Sequence, residues 1–477
     1  MLSSAVLALG VASACSDTAA PRPQLVVFVD TDAHVSGELL TRDDLSADAA
    51  VDSLRVDVLD GSRATSSFIV SDPSSWPVSF GVVPGGSGAI RLRLRLFRSV
   101  FASAGSDQGA TVLEPPPEVT IDRLVQLTLP SPGPSASSGD PSSGVAQVRV
   151  VLAADCLGTA SSFLSPQKTC VDGGHPAEDP SSGVEPFAGA PAPTTVGTWA
   201  SAVDVACASP ARSDRVCIPG GFDILGDLSS VGLTTPRLDP VPFRPVVVSP
   251  FILDRLEFTV GRFRQLVGAG NYSGNMPLPQ APADPLHQYC TWLGMDVATN
   301  DALPLNCIDR ASALSACQLA GGTLPTEAQW NHAARGRGQR RIFPWGNADP
   351  ACCTESAGRG FLLGYPGVCG GGGVEPGGSH PPSRCDGVGD VSRDGVIDMA
   401  GSLTEAMLDV LQPYDGPCWT SAGILHDPAC KDPNPTGFAA KGGDWFEGPG
   451  LTIVPLRYDY VAEVEYGFRC AYTPGSP

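Results

Sequence analysis

Cysteine is spread unevenly along these 477 residues: one stands at position 15, none recurs before Cys156, and the other thirteen follow as far as Cys470. A chain built this way has two parts under different rules. The first must close its core by hydrophobic burial alone, whereas the second can be stapled. Cys15 ends the run MLSSAVLALGVASAC, whose apolar stretch at 2–11 gives way to Ala12, Ser13 and Ala14. That stretch is too short to span a bilayer. It has the form of a bacterial lipoprotein signal over residues 1–15, with Cys15 as the lipidated residue. No Lys or Arg precedes it, and an ordinary cleaved secretory signal is the alternative; either one exports the chain. Setting Cys15 aside leaves an even number of cysteines, which an oxidising compartment can pair completely. Spacing does not give their connectivity. The only close pair is Cys352 beside Cys353, which is not a zinc pattern.

Between residues 24 and 130 the hydrophobic pattern has a period of two. In IRLRLRLF, at 90–97, Ile90, Leu92, Leu94 and Leu96 share one face and Arg91, Arg93 and Arg95 the other. This predicts a strand with its leucines toward a core and its arginines toward water. Further strands are expected at 25–29, 54–59, 68–70, 78–83 and 124–129, separated by Gly, Pro, Ser and Asp clusters. The spacing predicts an all-β, immunoglobulin-like sandwich over residues 24–130. SPGPSASSGDPSSG, at 131–144, has the composition of a flexible linker. Residues 131–215 then hold a strand at 146–152, Cys156, Cys170 and a Pro-rich break at 188–195. This segment reads either as a disulfide-tied extension of the first domain or as a connector.

The remainder reads as α+β. With 55 Gly and 46 Pro the chain is rich in turns and irregular loops. Residues 308–320 carry Ala311, Leu314, Ala316 and Leu319 at helical spacing and stop at Gly321 and Gly322. Thr326 is an N-cap candidate for a helix to about Arg335, with Gln329 where a capping box usually has an acid. Residues 248–251 and 256–260 read as strand, followed by a helix over 261–267. A net charge of −20, with 30 Lys and Arg against 50 Asp and Glu, makes nucleic acid a poor partner.

Four segments in order, IPGGFDILG (218–226), GGTLPTEAQWNHAARG (321–336), GGDWF (442–446) and GFRCA (467–471), resemble the formylglycine-generating enzyme family, or sulfatase-modifying-factor fold, over residues 216–472. SPFILDRLEFTVGRFRQLV, with Glu257 and Thr259, and PWGN at 344–347 extend the likeness. DMAGSLTEAMLD at 398–409 is a degraded copy of a family segment, with Ser402 for Asn and Thr404 and Ala406 for Trp. The resemblance implies an α+β fold related to C-type lectins. It also implies catalysis through two copper-binding cysteines five residues apart, the first lying four residues after the second Gly of the GG motif. Those positions hold Glu447 and Thr452 here. A carboxylate and a hydroxyl do not make a soft copper(I) site, so copper is not expected and the domain reads as catalytically lapsed.

Other constellations carry less. His34, His175, His287, His332, His380 and His426 form no close pair, and His332 lies where the family has an aromatic, which favours packing over ligation. Asp390, Ser392, Asp394 and Asp398, with Gly395, alternate like the first half of a calcium loop, but the twelfth position is Gly401, and an ordinary acidic turn has the same composition. The family binds structural calcium, which makes calcium the candidate cofactor. Together these features describe an exported, membrane-anchored lipoprotein, periplasmic or at the cell surface. Its lapsed domain would bind or present a protein, peptide or glycan ligand at the envelope. The alternative is an oxidoreductase that converts a cysteine to formylglycine in sulfatase maturation, or a related metal-dependent oxidation with ligands outside these motifs.

Overall fold

The structure, a computed structural model, describes residues 24–36, 51–59, 64–70, 72–82, 89–107, 110–128, 145–164, 167–173, 179–189, 193–208, 212–226, 241–284, 287–339, 341–348, 373–384, 387–420, 423–446 and 451–475. Residues 1–15, the linker at 131–144, Cys352, Cys353, Cys369, Cys385 and Glu447 lie outside them.

In the first domain the period-two pattern becomes two four-stranded sheets sharing one core. The strands are β1 (Gln24–Thr31), β2 (Ser53–Val58), β3 (Ala64–Ile69), β4 (Val78–Val82), β5 (Ala89–Phe97), β6 (Ser103–Asp107), β7 (Ala110–Glu114), β8 (Thr120–Thr128), β9 (Val145–Leu152) and β10 (Glu185–Pro186). One sheet runs β10-β9-β1-β4 and the other β3-β2-β5-β8. Ile90, Leu92, Leu94 and Leu96 are fully buried between them, as their alternation requires. The strand at 145–152 pairs in parallel with β1 along its whole length, so it belongs to the first domain's sheet. The Cys156–Cys170 disulfide holds the following loop, whose Thr169 Oγ1 accepts Leu124 N at 2.8 Å.

The arginine face of β5 departs from expectation. Arg91 is exposed, but Arg93 is half-buried and Arg95 is buried, because the β6–β7 hairpin folds back over that face. Register sets Arg55 of β2 directly opposite Arg95, a repulsive pairing if left alone. Glu114 of the hairpin resolves it, accepting from Arg55 Nη1 at 2.5 Å and Arg95 Nη1 at 2.6 Å. Asp57 accepts from both guanidinium groups as well, and Asp122 takes Arg93 bidentately at 2.9 and 2.7 Å. Arginines that local pattern assigns to water are thus paired under a hairpin that the pattern did not reveal.

The second domain adds β11 (Arg215–Ile218), β12 (Gly221–Leu225), β13 (Arg244–Val248), β14 (Phe251–Asp254), α1 (Val260–Gly268), α2 (Arg310–Leu319), α3 (Glu327–Ala334), β15 (Thr404–Val410), β16 (Leu425–His426), β17 (Phe438–Lys441), β18 (Tyr458–Asp459), β19 (Tyr466–Gly467) and β20 (Ala471–Tyr472). They form three small sheets, β11-β14-β20, β12-β13-β16 and β18-β17-β15-β19, with the helices packed against them. Each helix starts at a side-chain cap: Thr259, Asp309 and Thr326 accept from the backbone N–H of Arg262, Ser312 and Gln329. The strand expected at 256–260 is instead a turn into the Thr259 cap, and the strand lies earlier, at Phe251–Asp254. Gln329 completes a capping box with Thr326, doing the work of the more usual acid. Thr326→Ala is expected to lower stability by about 1 kcal/mol, measurable by urea unfolding with the disulfides intact. An unchanged midpoint would mean that tertiary packing alone fixes the start of α3.

Four more disulfides, Cys207–Cys217, Cys290–Cys307, Cys317–Cys470 and Cys418–Cys430, tie this domain, so every described cysteine is paired. This is the covalent pattern of an oxidising compartment. The two domains meet where Phe101 packs on Phe243 and Trp199 on Phe222. Among the described residues no helix is long and apolar enough to cross a membrane.

Candidate functional site

The centre of the second domain forms where β17 runs out through Gly442 and Gly443. Both have positive φ, 103° and 68°. A side chain on Gly443 would place its Cβ 2.6 Å from Leu451 O and 3.1 Å from Thr452 Cα, so only glycine lets the outgoing and returning limbs touch. Gly401 N donates to Gly442 O at 3.0 Å and Trp445 N to Ser402 O at 3.0 Å, lacing this loop to the segment before β15. Thr452, on the returning limb, is fully buried.

Beneath the loop lies an ionic core. Glu257 is buried and accepts Leu403 N at 2.9 Å and Ser402 Oγ at 2.8 Å. Glu405 accepts from Trp330 Nε1 at 3.1 Å and from Arg469 Nε and Nη2 at 2.6 and 2.7 Å. Arg469 also donates to four backbone oxygens, those of Asp254, Arg255, Ile397 and Asp398. Burial, then the neighbouring charge of Glu405, pushes Glu257 well above the usual carboxylate range, and burial pushes Asp398 up to about 6. A single guanidinium therefore serves several desolvated carboxyl groups.

A second buried cluster lies across β17. Arg457 holds Glu327 bidentately, both contacts at 2.7 Å, and Tyr414 donates its hydroxyl to the same carboxylate at 3.3 Å. Asp409 accepts the backbone N–H of Glu327 and of Cys430, and burial, with the charge of Glu327, pushes it up to about 7. Lys441 on β17 is fully buried, and its Nζ has no hydrogen-bond partner among the described residues; the Trp330 ring lies 5.6 Å away. Burial pulls this ammonium down to about 7.

At the surface end of the loop, Tyr289, Trp445 and Phe446 form an aromatic row with centroids 5.0 and 5.7 Å apart, and Phe446 is 43 % exposed. The Cys290–Cys307 disulfide and Leu403 back this row. The exposed Phe446 ring gives this end of the loop an aromatic contact surface.

Asp390, Ser392, Asp394 and Asp398, singled out from sequence, lie on and beside one turn. Val391 bridges Ile397, and Ser392 N donates to Val396 O, so 391–397 is a tight hairpin turn. Ser392 Oγ accepts Val396 N, Asp398 accepts Gly378 N, Asp390 accepts Ala400 N, and Asp394 lies 3.3 Å from Arg337 Nε. Asp394 thus faces an arginine, while Asp390 and Asp398 meet through Asp398 N donating to Asp390 O at 3.1 Å. No group of three or more His, Cys, Asp or Glu among the described residues is arranged to hold a metal. His332 is buried, Nε2 against Pro219 O at 3.1 Å and Nδ1 3.6 Å from Asp223, which is packing. Arg469, Glu405 and Lys441 escaped sequence reading. Their signal was a charge inside an apolar run, as in FAAKGGDWF and YGFRCA.

The sequence profile described as "Sulfatase-modifying factor enzyme 1-like domain" matches residues 203–474, more than half of the chain. The chain belongs to this family. Mouse "Inactive C-alpha-formylglycine-generating enzyme 2" is 25% identical over 305 residues, covering 55% of this chain and 86% of that protein. The "Uncharacterized protein YfmG" of Bacillus subtilis (strain 168) is 31% identical over 140 residues, 28% of each chain. Mouse "Formylglycine-generating enzyme" matches at 54% identity, but only over 35 residues, 7% of this chain and 9% of that one. Among solved structures, "Structure of PvdO from Pseudomonas aeruginosa" aligns at a TM-score of 0.40 and 20% identity, covering 54% of this chain and 93% of that one. The copper positions of a formylglycine-generating enzyme do not fit the metal here: Thr452 brings a buried hydroxyl, Glu447 brings a carboxyl group, and the described cysteines are all in disulfides.

Proposed function

We propose that this chain is a noncatalytic member of its family, a binding or presentation module at the cell envelope. The observation that carries the reading is the replacement of both copper thiolates, by Glu447 and Thr452, beside the glycine turn at 442–443 and above a buried ionic core. The fold is thus built without the soft ligands that the family's oxygen chemistry needs. The inactive mouse relative supports the same reading, since its likeness spans most of its length. The ligand is a protein, peptide or glycan, taken on the aromatic row that ends in Phe446. In this reading Cys15 carries the lipid anchor, and the paired sheets of the first domain are an immunoglobulin-like spacer holding the module off the membrane.

The test uses the disulfide-bonded chain, with a cysteine-containing sulfatase peptide, a thiol reductant, oxygen and copper(I). No aldehyde product by mass spectrometry and no stoichiometric copper or iron by elemental analysis are expected. Peptide conversion together with bound copper would overturn the noncatalytic reading. For the anchor, labelling of the full chain with a fatty-acid probe is expected to vanish in Cys15→Ser; undiminished labelling would remove Cys15 from that role.

A further inference from the structure

A cleft at the junction of the two domains is used by none of this. Its volume is about 440 Å³, inside the range of about 300–1,000 Å³ typical of small-molecule sites. One wall is apolar. Phe101 of the first domain meets Phe243 of the second with ring centroids 4.4 Å apart, beside the consecutive Pro115, Pro116 and Pro117. Proline fixes φ, and Thr120 Oγ1 pins the turn by donating to Pro116 O at 2.7 Å, so this wall is rigid before anything binds.

The opposite wall is the cationic face of β5, where Arg93 and Arg95 line the cleft. Arg55, Arg93 and Arg95 are balanced by Asp57, Asp122 and Glu114. Five of these side chains are 26% exposed or less, whereas Glu114 is 50% exposed. Glu114 is therefore the anion of the three that water reaches, and another carboxylate could take its place between Arg55 and Arg95 without changing the charge count. Arg95 Nε, moreover, is buried and has no acceptor among the described residues. A guanidinium with a donor to spare, an exchangeable carboxylate and a rigid aromatic wall meet in one cleft.

The geometry points to a binding site for a small carboxylate that carries an apolar ring, the ring against Phe101, Phe243 and the prolines, the carboxylate on Arg55 and Arg95 in the place of Glu114, with the charge of Arg93 beside it. This site is separate from the aromatic row of the second domain. The test is isothermal titration of the full disulfide-bonded chain with 3-phenylpropanoate and with its neutral amide. The acid is expected to bind saturably and the amide at least about tenfold more weakly, since it forfeits the charge-assisted hydrogen bonds. Arg93→Gln, at a partly exposed position, is expected to weaken the acid by a similar factor, read well below the variant's own melting temperature because Asp122 loses its bidentate partner. Ser103→Trp fills the cleft from the exposed hairpin and leaves both arginines in the chain, and it is expected to abolish binding. Equal affinity for acid and amide, undiminished affinity in Arg93→Gln, or no saturable heat with either probe would each overturn the assignment.

Discussion

Replacing Arg469 by methionine is expected to cost the second domain about 3–5 kcal/mol at neutral pH, the range for removing one partner of a buried ion pair. Methionine fills most of the volume, so a cavity is not the cause. What is lost is the cation to which Glu405 is bound twice, and the donors to four backbone oxygens, two of them in fully buried hydrogen bonds. Glu257 and Asp398 lose the same neighbouring charge. The effect depends on pH. Asp398 has a folded value raised from 3.8 to about 6, so between those values the folded state holds more protons than the unfolded one, and stability falls as pH rises. Without Arg469 the raised carboxyl groups move higher still, so the penalty is largest at neutral pH and shrinks as they protonate below about 6. Urea unfolding of both proteins across pH 4.5–7.5 checks this. A loss under about 1 kcal/mol at pH 7, or one independent of pH, would show that these carboxyl groups are already neutral and need no cation.

Lys441→Met is expected to act in the opposite sense, stabilising the protein by about 1–4 kcal/mol at pH 7. An ammonium with no hydrogen-bond partner among the described residues, buried beneath Trp330, loses its hydration with only distant charges in return. Methionine keeps the reach and packing of the stem and removes the charge. For a base whose folded value is lowered, here from 10.5 to about 7, the unfolded state holds more protons between those two values, so the stability of the natural protein rises with pH across that window. The advantage of the variant should therefore be greatest at and below pH 7 and narrow by pH 9. A destabilising Lys441→Met would mean that Nζ is held by a partner, such as an internal water, that compensates for its burial.

Much of the architecture was readable because it is local. IRLRLRLF alternates whatever surrounds it, Thr326 caps its helix with an atom three residues away, and the family motifs place the glycine turn at 442–443. Where the reading failed, the deciding partner lay elsewhere in the chain. Arg95 is buried because a hairpin with no strong hydrophobic signature brings Glu114 over it, and 256–260 is a turn because Thr259 serves as a cap and not as a strand residue.

By itself the sequence determined the alternation of IRLRLRLF, the Thr326 cap, the family and the loss of both copper thiolates, because these depend on residue identity and short-range geometry. Only the tertiary structure decided which charges are buried and with what. Glu405 meets Arg469, and Asp254 meets Cys470 N, through contacts 64 and 216 residues apart. Likewise the cleft between Phe101 and Phe243 exists only once two domains are docked. Hydrophobic periodicity is a property of neighbours along the chain, whereas the desolvation of a charge is a property of everything packed around it.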